Sequence, residues 1–282
     1  MNNFIWYNPT RILFGRGTHN EVGRETAAYS RRILLLYGGE SLKAAGTYGA
    51  ITKSLTEAGV EYRELGGVRP NPRLSLVHQG ILLCRREGLD FVLAAGGGSV
   101  IDTAKAIAAG VLYPGDVWDF YHTEKRPERV LPTGVVLTIP AAGSESSDGS
   151  VITREEENEK KSFCSPLLYP KFAILNPELC YTLPKRQIAA GSADILAHVM
   201  ERYFSPNGNT ELSDRLCEAA MKTIIHNAPL ALADPDRYEV WAELMWAGNV
   251  AHNGLLGKGR EEDWASHNIE HELSALYDIA HG

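Results

Sequence analysis

Apolar positions follow two regimes along the chain. Up to about residue 183, short runs that are apolar throughout alternate with stretches of helical period, and beyond it only helical periods recur. Residues 33–37, 91–95 and 134–139 read as strands buried on both faces, because a strand with one wet face would alternate apolar and polar side chains. Helical patterns cover residues 41–58, 74–87 and the stretch from Ser99 to 109. Residues 4–14 alternate about Asn8-Pro9-Thr10 and predict a small hairpin, residues 60–65 alternate as well, and Pro70-Asn71-Pro72 marks a loop. Buried strands separated by helices predict a parallel sheet covered on both faces, a Rossmann-like α/β fold.

After Leu183-Pro184 the pattern predicts helices over 185–204, 210–227, 237–251 and 260–276, punctuated by Pro206, Pro229, Pro235 and the glycines at 254, 257 and 259. The expected organisation is an α/β domain over 1–183 followed by an all-α domain over 184–282. Glu155-Glu156-Glu157 with Lys160-Lys161 reads as a solvated loop.

Composition narrows the class of function. At 282 residues the length favours two domains over one large α/β domain, and 44% hydrophobic with 22% charged residues describe an ordinary globular protein rather than a disordered one. A net charge of −7 argues against a nucleic-acid or anionic-membrane binder. No stretch approaches the roughly 20 apolar residues of a membrane span, and the N-terminus lacks the pattern of a signal peptide. Cys84, Cys164, Cys180 and Cys217 are far apart without a C-x-x-C pair, which suits buried thiols in a reducing cytoplasm.

Two constellations carry chemistry. The run 91–95, then Gly96-Gly97-Gly98-Ser99, then a helix, is a strand–glycine turn–helix unit. Glycines let backbone approach a pyrophosphate, the helix N-terminus offers free N–H groups, and Ser99 is placed to cap it. After the earlier strand, Gly39 leaves room for a 2′-phosphate to which Ser41 can donate, while Glu40 would repel that phosphate if it turned inward. The second constellation is Asp194/His198 and His267/His271, each pair four apart and so on one helix face, with His281 following. Mixed carboxylate and imidazole donors suit one divalent ion, Fe²⁺ or Zn²⁺. Spacing alone selects Asp194, His198, His267 and His271. His19, His78, His122, His226 and His252 lack such company and read as structural.

Together the glycine turn continued through Val100-Ile101-Asp102-Thr103-Ala104-Lys105, the run Thr138-Ile139-Pro140-Ala141-Ala142-Gly143-Ser144-Glu145, Asp194-x3-His198 and His267-x3-His271-x9-His281 resemble the iron-containing (group III) alcohol dehydrogenases, in particular the NADPH-dependent butanol dehydrogenase and aldehyde reductase branch. The resemblance covers the whole chain. It implies a Rossmann-like N-terminal domain followed by an all-α metal-binding domain, the dehydroquinate synthase-like architecture. It implies hydride transfer between NADP(H), with NAD as the alternative, and a primary alcohol or aldehyde such as butanol or butyraldehyde, in a cytoplasmic homodimer. Carried over residue by residue, the metal ligands become Asp194, His198, His267 and His281. His271 moves to a catalytic place beside the substrate, in a proton relay. The cofactor contacts become Gly39, Ser41, Asn71, Gly97, Gly98, Ser99, Asp102, Thr138, Ser144 and Lys160. The family continues for several helices beyond its last metal histidine, so the helical domain is expected to be incomplete and the chain truncated at its C-terminus. Glycerol dehydrogenase- and dehydroquinate synthase-like enzymes share the architecture and stand as the alternative, as does an inactive dinucleotide-binding fragment.

Overall fold

The computed structural model describes residues 1–205 and 208–282. In chain order it holds β1 (Arg11–Phe14), α1 (Val22–Ala27), β2 (Arg32–Tyr37), α2 (Ser41–Ala44), α3 (Thr47–Glu57), β3 (Glu61–Leu65), α4 (Leu74–Glu87), β4 (Phe91–Gly96), α5 (Gly98–Val111), α6 (Asp119–His122), β5 (Thr133–Leu137), β6 (Gly149–Arg154), β7 (Glu159–Cys164), β8 (Phe172–Leu175), α7 (Lys185–Tyr203), α8 (Glu211–Ala233), α9 (Tyr238–His252) and α10 (Ala265–Tyr277). Six strands form one sheet in the order β1-β8-β5-β4-β2-β3, and every neighbouring pair is parallel. The continuously apolar runs are its inner strands; the edge strands β1 and β3 are only partly covered.

Alternate side chains of these strands enter two cores. Ile33, Leu35, Phe91, Leu93 and Ile174 pack with Val22, Ile51 and Leu55 of α1 and α3. Leu34, Leu36, Val92, Ala94 and Val135 pack with Val77 and Ile81 of α4 and Ile101 and Ile107 of α5. The second core continues through Cys180, Ile188 and Ile195 into the helical region, where α7 packs on α8 and α9 around Val199, Ile224 and Trp241. The helical region carries no strand among the described residues, so the chain has the expected α/β followed by all-α architecture.

Several local expectations are corrected. No hairpin forms over residues 4–14; β1 pairs in parallel with β8 instead, a distant partner that local alternation cannot reveal. The predicted helix over 41–58 is two helices, broken at Gly46, whose φ of 78° no helix tolerates. Ser99 does not cap α5; Gly97 takes the cap position and Ser99 lies in the first turn. Pro229 does not end α8 but sits inside it, the helix held by packing of Ile224 and Ala231 on its buried face. Residues 155–158 do form a solvated turn, but it joins β6 and β7 in an antiparallel ribbon, and Lys160 is buried there. Cys84, Cys180 and Cys217 are buried as expected, whereas Cys164 is exposed. Pro206 lies outside the described residues.

Candidate active site

The C-terminal ends of β2, β4 and β5 are neighbours in the sheet, so the turns after them open on one edge. This brings Gly39 and Ser41 (after β2), Gly97, Gly98 and Ser99 (after β4) and Thr138 (after β5) to the end of a parallel sheet where such folds bind ligands. The first N–H groups of α5 have no intrahelical acceptor and point out of its N-terminus. A Cβ on Gly97 would lie 2.3 Å from Ile139 Cγ2, and one on Gly98 2.9 Å from Ala142 Cβ. The glycines therefore also admit the loop after β5 against the start of α5. At the first turn, a Cβ on Gly39 would meet nothing within 4 Å, and the Glu40 side chain is 86% exposed, 3.7 Å from Lys43 Nζ.

Asp102 and Ser144 meet deeper in. The Asp102 carboxylate accepts from Ser144 Oγ and, at 3.1 Å, from Val151 N. Burial pushes its pKa up, against the pull of the Lys105 ammonium and the Ser144 and Val151 hydrogen bonds. Lys105, fully buried in α5, donates to the carbonyl oxygens of Ser144 (2.7 Å), Ser147 (2.8 Å) and Gly149 (2.9 Å). It pins the loop that carries Ser144. The sequence signal for it was available: a lysine three residues after Asp102 on an otherwise apolar helix.

The second half of the site is a histidine cluster. Asp194 and His198 project from one face of α7, and His267 from the first turn of α10. His281 follows α10 after a reversal at Asp278, whose φ is 51°. Asp194 Oδ1 lies 3.7 Å from His267 Nε2 and 3.6 Å from His281 Nε2. His198 packs its ring 4.3 Å from that of His267 and turns Nδ1 to the Asp194 carbonyl at 2.8 Å. Burial would raise the Asp194 pKa, but His198, His267 and His281 hold the carboxylate well below its usual range. An ionised, buried oxygen facing several imidazoles is a donor set that fits a divalent cation.

Among the described residues, the groups whose ligand atoms all lie within 4.8 Å of one another are Asp194/His267/His281 and Glu270/His271/His281. His198 borders the first group without meeting that limit. The second group is a poorer cation site, because the Lys160 ammonium already stands 3.1 Å from Glu270. His271 is thus set apart from Asp194. Burial, with the charges of Lys160 and His281, pushes its pKa down to about 3, so its imidazole is neutral near pH 7.

Lys160 and Asn71 bridge the two halves. Lys160 Nζ donates to Asn71 Oδ1 (3.0 Å), Glu270 Oε2 (3.1 Å) and Ser274 Oγ (2.8 Å). Asn71 Nδ2 in turn donates to Asp278 Oδ1 (2.9 Å) and to the Ile279 carbonyl (3.0 Å), and Arg73 pairs with Asp278 at 2.7 Å. These contacts hold the segment that carries His281. Sequence reading missed Lys105, Glu201 and Glu270. Glu201 was within reach, since Asp194, His198 and Glu201 are spaced four and then three apart and share a helix face.

Comparison with known proteins follows the same division. The family model for iron-containing alcohol dehydrogenase matches residues 9–177, and that for the C-terminal part of the Fe-containing alcohol dehydrogenase family matches residues 188–282. A probable NADH-dependent butanol dehydrogenase of Bacillus subtilis (strain 168) is 46% identical over 281 residues, covering 100% of this chain and 73% of the relative. An NADPH-dependent aldehyde reductase of Escherichia coli (strain K12) is 40% identical over 284 residues, again covering 100% and 73%. The crystal structure of an NADH-dependent butanol dehydrogenase A from Thermotoga maritima superposes with a TM-score of 0.97 at 44% identity, covering 100% of this chain and 71% of that one.

Proposed function

Since this chain belongs to the iron-containing alcohol dehydrogenase family, we propose that it reduces short aldehydes to primary alcohols, butyraldehyde to butanol among them, preferring NADPH as the hydride source. Alcohol–aldehyde oxidoreduction with NAD(P)H and an iron-type divalent metal follows from the family. The substrate, the preferred dinucleotide and the residue roles are our reading. One observation carries it: the buried Asp194 carboxylate faces His267 and His281 beside the Lys160–Asn71 pair and the glycine edge of the sheet.

In this reading residues 1–183 bind the dinucleotide and residues 184–282 the metal. Asp194, His198, His267 and His281 hold one divalent ion, Fe²⁺ or Zn²⁺. When bound, the ion supplies Lewis-acid polarisation of the carbonyl oxygen and the nicotinamide supplies the hydride. The chain's own residues do the rest. The N–H groups at the start of α5 bind pyrophosphate, with Gly97, Gly98, Ser99 and Thr138 lining that edge. Asp102, Ser144, Asn71 and Lys160 orient the nicotinamide end. His271, neutral and beside His281, relays a proton: one ring nitrogen gives its N–H to the alcohol oxygen as the other nitrogen takes a proton from solvent, so the ring stays neutral and ends as the opposite tautomer.

NADPH preference rests on the open space at Gly39, on Ser41 two residues on, and on Lys43 standing 3.7 Å from the exposed Glu40 carboxylate. Relatives divide on this point: four butanol dehydrogenases at 44–48% identity are named for NADH and an aldehyde reductase at 40% for NADPH. Gly39→Asp places a carboxylate where a 2′-phosphate would sit and is expected to reverse the preference, raising KM for NADPH about tenfold or more, since like charges about 4 Å apart cost between about 1 kcal/mol in bulk water and about 4 kcal/mol near a protein surface, and about 1.4 kcal/mol is tenfold. Steady-state butyraldehyde reduction with both cofactors and added Fe²⁺ or Zn²⁺ is the assay. A lower KM for NADH in the unaltered protein overturns the preference, and no aldehyde-dependent oxidation of either cofactor overturns the function. We also read the exposed Phe4, Ile5, Trp6 and Tyr7 as a homodimer contact, an apolar patch a lone subunit would leave wet. Light scattering at a mass of 31.0 kDa rather than twice that would refute it.

A further inference from the structure

A histidine can give a metal only the ring nitrogen that lacks a proton, and the partner of the other nitrogen decides which one that is. Two histidines of the Asp194 cluster have the same arrangement. His267 turns Nε2 toward Asp194, and its Nδ1 lies 2.8 Å from Glu201 Oε1. His281 also turns Nε2 toward Asp194, and its Nδ1 meets Glu270 Oε2. Glu201 is buried on α7, one helical face with Asp194 and His198, so it reaches across to α10 from the helix that supplies the carboxylate. Its Oε1 also accepts from the backbone N of His267 at 2.8 Å, which ties the ring and its main chain to one oxygen. Glu270 lies on α10 and has a second partner in Lys160, whose Nζ also stands 3.5 Å from His281 Nδ1, farther from that nitrogen than the Glu270 oxygen.

We propose that Glu201 and Glu270 are positioning residues that hold His267 and His281 as Nδ1–H tautomers, so that both Nε2 lone pairs converge beside Asp194 before any metal arrives. Neither carboxylate joins the ligand set. A carboxylate acceptor fixes the ring plane, sets the tautomer and makes the opposite nitrogen more basic. Glu201 carries the greater share, because its oxygen serves two donors of the same residue, whereas Glu270 divides its charge between His281 and Lys160. The inference rests on the assignment of Asp194, His267 and His281 as ligands.

The test uses the 282-residue protein, loaded with Zn²⁺ and labelled with ¹⁵N on histidine. Chelator competition measures affinity, and long-range ¹H–¹⁵N spectra read which ring nitrogen carries the proton. Glu201→Leu is expected to weaken Zn²⁺ binding by about 10–100-fold, the range for lost outer partners of metal histidines, and to abolish the protected Nδ1–H signal of His267. Glu201→Gln keeps an acceptor oxygen at nearly the same shape. It is expected to retain that signal and recover most of the affinity, and it supplies the measurement if the leucine variant fails to fold. Glu270→Gln is expected to have the smaller effect. Were Glu201 only an anchor for the start of α10, both variants would lose thermal stability while the folded protein kept wild-type Zn²⁺ affinity, and that outcome overturns the proposal. So does a wild-type His267 ring protonated at Nε2. Asp194→Asn is measured alongside: wild-type affinity there would instead overturn the ligand assignment, which keeps the two failures distinct.

Discussion

Asp194→Asn is expected to leave the purified protein with a small fraction of its wild-type metal and to cut aldehyde reduction about 10³-fold. The substitution preserves shape, so the helix and its packing should survive. What it removes is the one carboxylate charge within the proposed ligand set Asp194, His198, His267 and His281. Asp194 is 4% exposed, and His198, His267 and His281 hold it ionised against the cost of burial. An amide there offers one weaker oxygen and no charge. A metal acting as Lewis acid contributes several kcal/mol of transition-state stabilisation, and about 4 kcal/mol corresponds to the stated factor at 1.36 kcal/mol per tenfold. His271→Ala is the contrasting variant. Its ring lies outside the Asp194 group, so metal content should stay near wild type while turnover falls by about 10²-fold, as for loss of a proton donor. Elemental analysis and steady-state rates on both proteins decide it. Equal metal loss in the two would put His271 among the ligands, the set that helical spacing alone selects.

Lys105→Met is expected to destabilise the fold by about 3–5 kcal/mol, the usual cost of removing one partner from a buried charged network. That is a large part of the 5–15 kcal/mol that typically separates folded from unfolded chains. Methionine fills nearly the same volume but donates nothing. The carbonyls of Ser144, Ser147 and Gly149 would lose a buried donor together, and the Asp102 carboxylate would lose the cation beside it. Burial lowers the Lys105 pKa, with Asp102, Asp148 and Glu145 opposing it only in part, and the three carbonyl oxygens at 2.7–2.9 Å are what the side chain is placed to serve. Lys105→Arg should not rescue it, since a planar guanidinium cannot sit where a point charge meets three carbonyls at 2.7–2.9 Å. Urea denaturation of the three proteins measures the effect. A loss under about 1 kcal/mol, the scale of a surface pair, would mean the loop is held by other contacts. Dinucleotide affinity should fall with stability, because Ser144 and Asp102 lose their fixed positions.

Local sequence determined a good deal about this protein. Runs such as Ile33-Leu34-Leu35-Leu36 and Phe91-Val92-Leu93 are apolar at every position, which only a strand covered on both faces explains, and that implied the parallel sheet and its flanking helices. Glycines after Ala95 and the i, i+4 pairs on α7 and α10 are local as well, because helix and turn geometry act over a few residues. Tertiary structure decided whatever depends on distant partners. Residues 4–14 alternate like a hairpin, yet β1 finds β8, more than 150 residues away, because a buried sheet edge satisfies more backbone than an isolated turn. Lys160 reads as a solvated charge, but a ribbon folded against α10 buries it among Asn71, Glu270 and Ser274. Spacing alone joins His271 to His267, since a helix face is all that spacing can report. The structure instead turns the chain back at Asp278, pinned by Asn71 and Arg73, and so brings His281 against Asp194 from beyond the helix. Glu201 completes the contrast: the sequence puts it on the face of Asp194 and His198, but only the docking of α10 gives its carboxylate a histidine to hold.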